Sequence, residues 1–399
     1  MKRNTPTLFI LLAATICLLA ACKKEEQPEP TPADLPMSDA YVTDSLRVEA
    51  DKMTVYHFVY PSTDPYGQPV MLSGAISLGD SVTRHSRALG LLLYNHPTVY
   101  RADQCPTRND ISVQRMLAHS KLITISPDYY GFGATENKHQ AYCISAVNAR
   151  SSVDALLAAR QLLAAMGYTW DDHLFNTGYS QGGQTSVGVV RLVAESYPDI
   201  HITCTFAGAG SYDLPATYRQ FIQDSIAGMP STVISVLLAY NEFFNVGAAR
   251  DEMFIEPVLS HIDDWILSKR YTREEIDAMI GSLAVADYIT PTLLNLGSEL
   301  SARFLETLET DNLCQGWTPR SDEPIYLFHN TQDITVPVVN TEHLHQFLTT
   351  HGATQVTLDV DDYGMMGTTP AHETGAVYFL QHAQAYMCQL LGIDQFNVY

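Results

Sequence analysis

Positive charge is what this chain has least of. Lys and Arg number 23 against 44 Asp and Glu, a formal net charge of −21 over 399 residues. So acidic a body is a poor partner for nucleic acid or for an anionic lipid surface. Solubility accounts for the surplus, and no cationic substrate is inferred from it. No internal repeat is present, which excludes a solenoid or a propeller. No spacing of cysteine and histidine makes a metal site, and the chemistry read below needs no cofactor. The apolar run from Leu8 to Ala21 is too short to span a bilayer.

What is present begins at the amino terminus. Lys2 and Arg3 precede that apolar run, and Cys22 follows it. This is the anatomy of a signal peptide, predicted over residues 1–21. Leu19-Ala20-Ala21-Cys22 resembles the lipobox of bacterial lipoproteins, which implies that Cys22 is lipidated and becomes the mature terminus. Lys23-Lys24-Glu25-Glu26 resembles the export signal of surface lipoproteins. The expected location is the cell envelope, in the outer membrane and facing outward, with membrane contact through the lipid alone. Residues 22–39, rich in Pro, Glu and Thr, read as an extended tether. Processing removes two positive charges and no acid, so the mature body is more acidic still.

Cys105, Cys143, Cys204, Cys314 and Cys388 remain after Cys17 leaves with the signal and Cys22 takes lipid. An exported protein can form disulfides, and an odd count leaves at least one thiol free. Cys105 and Cys143, both in loop-like sequence, are the expected pair. Cys204 falls in an apolar strand and is expected to be buried.

About 360 residues follow the tether, 46% of the chain being hydrophobic, enough for one large domain with an insertion. Val55–Tyr60 and Val70–Leu78 alternate as antiparallel strands do. Leu89–Tyr94 and Leu122–Ser126 are continuous apolar runs, the pattern of strands buried on both faces. Val113–His119 and Ala146–Met166 read as helices. Strand, helix and strand follow at 173–179, 185–196 and 202–207, and again at 325–328, 338–351 and 356–360, before a last helix at 376–391. This alternation predicts an α/β fold, a mostly parallel central sheet with helices on both faces. Residues 211–317 break the rhythm: the pattern is helical and too long for a connection. They are expected to form a helical cap on a core of residues 40–210 and 318–399. Tyr240, Phe243 and Phe244 either line a pocket for an apolar or aromatic group or form that cap's own core.

The chemistry concentrates at Gly178-Tyr179-Ser180-Gln181-Gly182, between a strand and a helix. A serine on so tight a turn has a strained backbone, and its neighbours at 178 and 182 have no room for a Cβ. The turn exposes Oγ and leaves the Gln181 amide at a helix N-terminus, where an oxyanion can be held. Composition alone would produce such a pentapeptide in about one chain of this length in seven, so its partners decide. Serine needs a base, and the base needs an orienting acid. Asp333, in a loop after an apolar strand, and His372, just before the last helix, supply them in the chain order Ser, Asp, His. Asp359, Asp361 and Asp362 are competing acids. His329, His343, His345, His351 and His382 are less well placed as the base. The loop Tyr94-Asn95-His96-Pro97-Thr98 is where a second oxyanion donor is expected. Pro97 has no N–H, so the role goes to the Thr98 amide, with the side chains of Asn95 and Thr98 as alternatives.

Together these residues resemble the α/β-hydrolase superfamily, and within it the secretory lipase family that includes the fungal lipase A type. The resemblance rests on Gly178–Gly183, on Asp333 to Pro337, on the late His372 and on the helical segment between elbow and acid. It implies hydrolysis of carboxylic esters, small or glycan-linked, with Ser180, Asp333 and His372 as nucleophile, acid and base. Pro97 departs from the family's usual His-Gly loop. Two rivals stand beside the esterase: a peptidase of the same superfamily, and a noncatalytic surface lipoprotein that binds glycans.

Overall fold

The computed structural model describes residues 37–108 and 120–394. The signal peptide, Cys22, most of the tether and the helix expected at 113–119 lie outside the described residues. Nine strands form one sheet in the order β1-β2-β3-β5-β4-β6-β7-β8-β9. These are β1 (Tyr41–Val48), β2 (Met53–Thr63), β3 (Pro69–Gly79), β4 (Gly90–Asn95), β5 (Leu122–Pro127), β6 (Leu174–Tyr179), β7 (Cys204–Gly208), β8 (Ile325–Asn330) and β9 (Val356–Asp361). The first three run antiparallel, and β3 meets β5 antiparallel. Every pairing from β5 to β9 is parallel.

Every residue of β4, β5, β6, β7 and β8 is buried. That explains the continuous apolar run of β4, which has no solvent side to mark with polar residues; the polar residues inside the others, such as Asn176 and Thr177 of β6, are themselves buried. One face packs against α1 (Ser145–Ala165) and α2 (Gln181–Ser196). The other packs against α8 (Ala371–Leu391), where Phe175, Phe206, Phe328 and Phe379 form a second core. Strand β1 was not legible in the sequence. It is an edge strand with a mostly exposed burial pattern, so no apolar alternation marks it.

Between β7 and β8 the chain is helical. Its longer helices are α3 (Leu214–Asp224), α4 (Pro230–Phe243), α5 (Arg273–Ile280) and α6 (Glu299–Thr310). The helix after β8 is α7 (Val339–Thr350). Tyr240, Phe254, Tyr288 and Phe304 are fully buried within the segment. The Tyr240 hydroxyl shares its one hydrogen between Asp311 Oδ2 (2.9 Å) and the Cys143 carbonyl (3.0 Å), and Phe244 stacks on its ring. Phe243 packs beside Tyr66, Tyr130 and His139. Tyr240 is therefore internal packing, whereas Phe243 is half-buried and Phe244 exposed, and none of the three lines the cavity at Ser180. Asp311 joins the segment to the sheet layer by accepting from Ser145 N (2.5 Å), Ser145 Oγ (2.7 Å) and Ala146 N (3.2 Å). It satisfies orphan donors at the start of α1, which that helix's own N-cap residue, Ile144, leaves open.

The expected Cys105–Cys143 disulfide is overturned: all five described cysteines are free thiols. Cys105 Sγ sits against the Ala102 carbonyl, whereas the Cys143 thiol faces Ser211 Oγ at 3.8 Å. Their loop-like sequence placed them in irregular segments without placing them together. Cys204 is fully buried in β7.

Candidate active site

Strand β6 delivers Ser180 to the start of α2 at φ 57°, ψ −123°, a conformation a non-glycine residue rarely holds. The turn is tight enough to dictate its neighbours. A Cβ on Gly178 would lie 2.2 Å from the Gly182 carbonyl oxygen, and one on Gly182 would lie 2.1 Å from the Asn95 carbonyl oxygen. The second contact also shows that the loop after β4 passes directly against the elbow. Two bonds fix the serine backbone: its N–H donates to Gly208 O (2.8 Å), and its carbonyl accepts from Gln184 N (3.0 Å).

Beneath the elbow lies a buried polar ladder. Asn95 Nδ2 donates to Asn176 Oδ1 (2.8 Å) and Ser186 Oγ (2.9 Å), while its Oδ1 accepts from Ser152 Oγ (2.8 Å). Asn176 continues to the Ser186 carbonyl and Thr205 Oγ1. The ladder ties β4, β6 and β7 to α1 and α2, so Ser180 stands on a cross-braced platform.

The three residues drawn from 180, 333 and 372 meet in one chain of hydrogen bonds. Ser180 Oγ lies 2.9 Å from His372 Nε2, and His372 Nδ1 lies 2.5 Å from Asp333 Oδ2. All three side chains are buried or nearly so. The other oxygen of Asp333 accepts from the backbone N–H of Thr335 (2.8 Å) and Val336 (2.9 Å). Burial pushes the Asp333 carboxyl up, but His372, His329 and the Val336 amide outweigh it and hold the acid below its usual range. Asp333 is therefore ionised and aimed.

None of the competing residues joins this chain. Asp359 accepts from His382 Nδ1 (2.8 Å) and from the hydroxyls of Tyr326 and Tyr363. Asp362 takes the Gln332 amide, and Asp361 Oδ1 bonds the Asp362 N–H. His343 pairs with Asp213, and His351 Nδ1 meets the Phe347 carbonyl.

Three supports escaped the sequence. Tyr179 donates its hydroxyl to the His372 carbonyl (2.7 Å). Asn330 Nδ2 donates to the carbonyls of Ala371 (3.0 Å) and Gly364 (2.9 Å). His329 lies behind Asp333, fully buried, with Nε2 at 3.6 Å from Oδ2. Tyr179 sits inside the elbow motif and His329 just before the acid loop, so position in sequence was the available signal.

A narrow cavity of about 60 Å³ opens beside Ser180 and Gln181. Its walls come from Tyr142 and Cys143, from Leu214, Tyr218 and Phe221 on α3, from Val233, Val236 and Leu237 on α4, and from Thr335 and Val336. The helical segment thus supplies most of the wall facing the serine. Thr98 Oγ1 bonds the Tyr142 hydroxyl (2.8 Å), which connects the loop after β4 to this wall. Pro97 is also engaged, its carbonyl lying 2.7 Å from His96 Nδ1.

Solved structures share the fold of this chain. A protein of Legionella pneumophila assigned as a hydrolase superposes with a TM-score of 0.78 at 19% identity, over 90% of this chain and 99% of its own. The rice cell wall degrading esterase LipA of Xanthomonas oryzae gives 0.69 at 20% identity, over 88% and 95%. Candida antarctica lipase A in its closed state gives 0.66 at 12% identity, over 92% and 88%. These likenesses establish the α/β-hydrolase fold. No curated protein matches the chain by sequence. Residues 106–382, well over half of the chain and all of the segment from Ser180 to His372, match the secretory lipase family. This chain is therefore a member of the secretory lipase family.

Proposed function

We propose that the chain is a serine carboxylesterase or lipase, acting through Ser180, His372 and Asp333 by way of an acyl-enzyme. The observation that carries this reading is the hydrogen-bonded series Ser180–His372–Asp333 on a strained elbow. His372 takes the Ser180 proton as Oγ attacks the ester carbonyl. The negative charge that develops on the carbonyl oxygen is held by the Gln181 amide at the start of α2 and by the Thr98 amide. The close approach of the Asn95–His96 backbone to Gly182 supports a donor from that loop. His372 then protonates the leaving alcohol, and water, activated by the same base, releases the acid. Asp333 fixes the tautomer with Nδ1–H and stabilises the imidazolium.

Residues 211–317 act as a cap that shapes the pocket and excludes water. The substrate is an ester of a small molecule or a glycan. The family being one of secretory lipases, the chain is read as an exported lipoprotein anchored in the outer membrane through Cys22.

The test is hydrolysis of a p-nitrophenyl ester ladder by residues 37–399, beside Ser180→Ala. Loss of kcat on the order of 10⁶-fold in the variant is expected, together with loss of fluorophosphonate labelling. A folded protein that hydrolyses no ester, or a Ser180→Ala protein that still does, would refute the proposal. Release of the full-length protein from the membrane fraction by Cys22→Ala tests the anchor.

A further inference from the structure

Helix α3 separates two spaces. Leu214, Thr217, Tyr218 and Phe221, at the spacing of one helical face, line the cavity at Ser180. Gln220, Phe221 and Asp224 line a second, larger cleft of about 290 Å³. The acid loop forms the opposing wall of both: Thr335 and Val336 face the cavity, whereas Asp333, Ile334 and Pro337 face the cleft. Among the described residues, Phe221 alone lines both spaces.

We infer that Phe221 is a specificity-determining partition, which closes the far end of the cavity at Ser180 and so limits the acyl chain to a short one. The inference rests on the ester-hydrolase reading. The acyl group is the part that remains on Ser180 after the alcohol has left, so the adjoining mostly apolar cavity suits it. A water-sized occupant needs about 10–15 Å³. A cavity of about 60 Å³ with the Phe221 ring in its wall therefore suits a short acyl group. Phe221 is itself 9% exposed, held between the two spaces rather than turned into solvent. Beyond the ring the cleft would accept a longer chain, with Ile334 and Ile226 as apolar contacts.

Two measurements on the folded protein decide this. The first is kcat/KM along the p-nitrophenyl ladder from acetate to palmitate, for wild type, Phe221→Leu and Phe221→Ala. Wild type should favour the shortest esters. The optimum should move to longer chains in Phe221→Ala, with Phe221→Leu between them. The second is calorimetric titration of straight-chain carboxylates onto Ser180→Ala and Ser180→Ala/Phe221→Ala, which needs no turnover. Affinity should stop rising at a short chain in the first protein. It should continue to rise roughly fourfold per methylene in the second. Superimposable ladder profiles, or carboxylate affinities that level off at the same length, would overturn the partition. A wild type inactive on every ester would refute the hydrolase reading instead, and the titrations would still decide the role of Phe221. If Phe221→Ala fails to fold, Phe221→Leu carries both comparisons.

Discussion

His329 and His372 approach the same oxygen of Asp333, one at 3.6 Å and the other at 2.5 Å, and only His372 has a hydrogen to give it. His329 Nε2 lies 2.8 Å from the Val336 carbonyl, and its Nδ1 lies 2.7 Å from Thr341 Oγ1. The carbonyl can only accept, so Nε2 carries the hydrogen and Nδ1 takes the threonine hydroxyl. His329 thereby holds the loop whose N–H groups aim Asp333.

His329→Leu should cost about 1–3 kcal/mol, because the Val336 carbonyl and the Thr341 hydroxyl lose a buried partner. His329→Gln should recover much of that, since its amide can reach the same carbonyl. Urea unfolding with kcat on a single ester measures both. Burial holds His329 below the ordinary histidine range. The unfolded chain therefore takes up a proton near pH 6.5 before the folded one does, and this contribution to stability falls as pH drops below about 6.5. The slope should be shallower in His329→Gln. It should not vanish, because burial lowers His96 in the same direction.

Tyr179 holds His372 by a hydrogen bond to its backbone carbonyl. Tyr179→Phe deletes one hydrogen bond to the His372 carbonyl and leaves the ring contacts with His372 and Phe379 in place. A cost of about 0.5–1.5 kcal/mol is expected. It should appear as a several-fold fall in kcat with KM nearly unchanged. A change in KM alone would place Tyr179 in substrate binding.

Gly182→Ala should abolish activity. Its Cβ would meet the Asn95 carbonyl oxygen, a backbone atom that cannot swing aside, and Asn95 is itself fixed by the ladder to Asn176, Ser186 and Ser152. The measurement is fluorophosphonate labelling of Ser180 beside circular dichroism. A folded variant that labels at the wild-type rate would show that the elbow can shift.

These cases mark what the sequence could and could not convey. The glycines at 178 and 182 were legible because backbone contact forbids a side chain there, and that constraint is local. Strand β4 was legible because burial on both faces leaves a continuous apolar run. Asp333 was legible through its position after a strand; His372 was expected just before the last helix, but that helix starts earlier, at Ala371, so His372 lies in its first turn. Asn95 at the end of β4 and Asn176 within β6 read only as polar breaks in strands, since nothing local says that five elements are joined through them. Cys105 and Cys143 misled for the same reason: pairing is a fact of three-dimensional distance. Phe221 looked like any apolar residue of an amphipathic helix, and its place between two spaces depends on the acid loop opposite.

Arg150 and Asp154 offer a test of the platform away from the chemistry. They form a nearly buried ion pair one turn apart on α1, with Arg150 Nε at 2.6 Å from Asp154 Oδ2, which also accepts from Ser62 Oγ at 2.7 Å. Burial dominates the carboxyl, and despite Arg150 its pKa is pushed up to about 6. Arg150→Met would leave that charge buried without a cation, at a cost of about 3–5 kcal/mol near pH 8. Acidification should relieve it. Between about pH 4, where the unfolded carboxyl titrates, and pH 6, the folded protein holds the extra proton, so this group's contribution to stability rises as pH falls. In the variant the folded pKa lies higher still, and the relief begins at a higher pH. The difference in unfolding free energy between wild type and Arg150→Met should therefore be largest at pH 8 and shrink toward pH 5. A difference that stays constant across that range would mean that Arg150 contributes by packing its stem on α1 rather than by its charge.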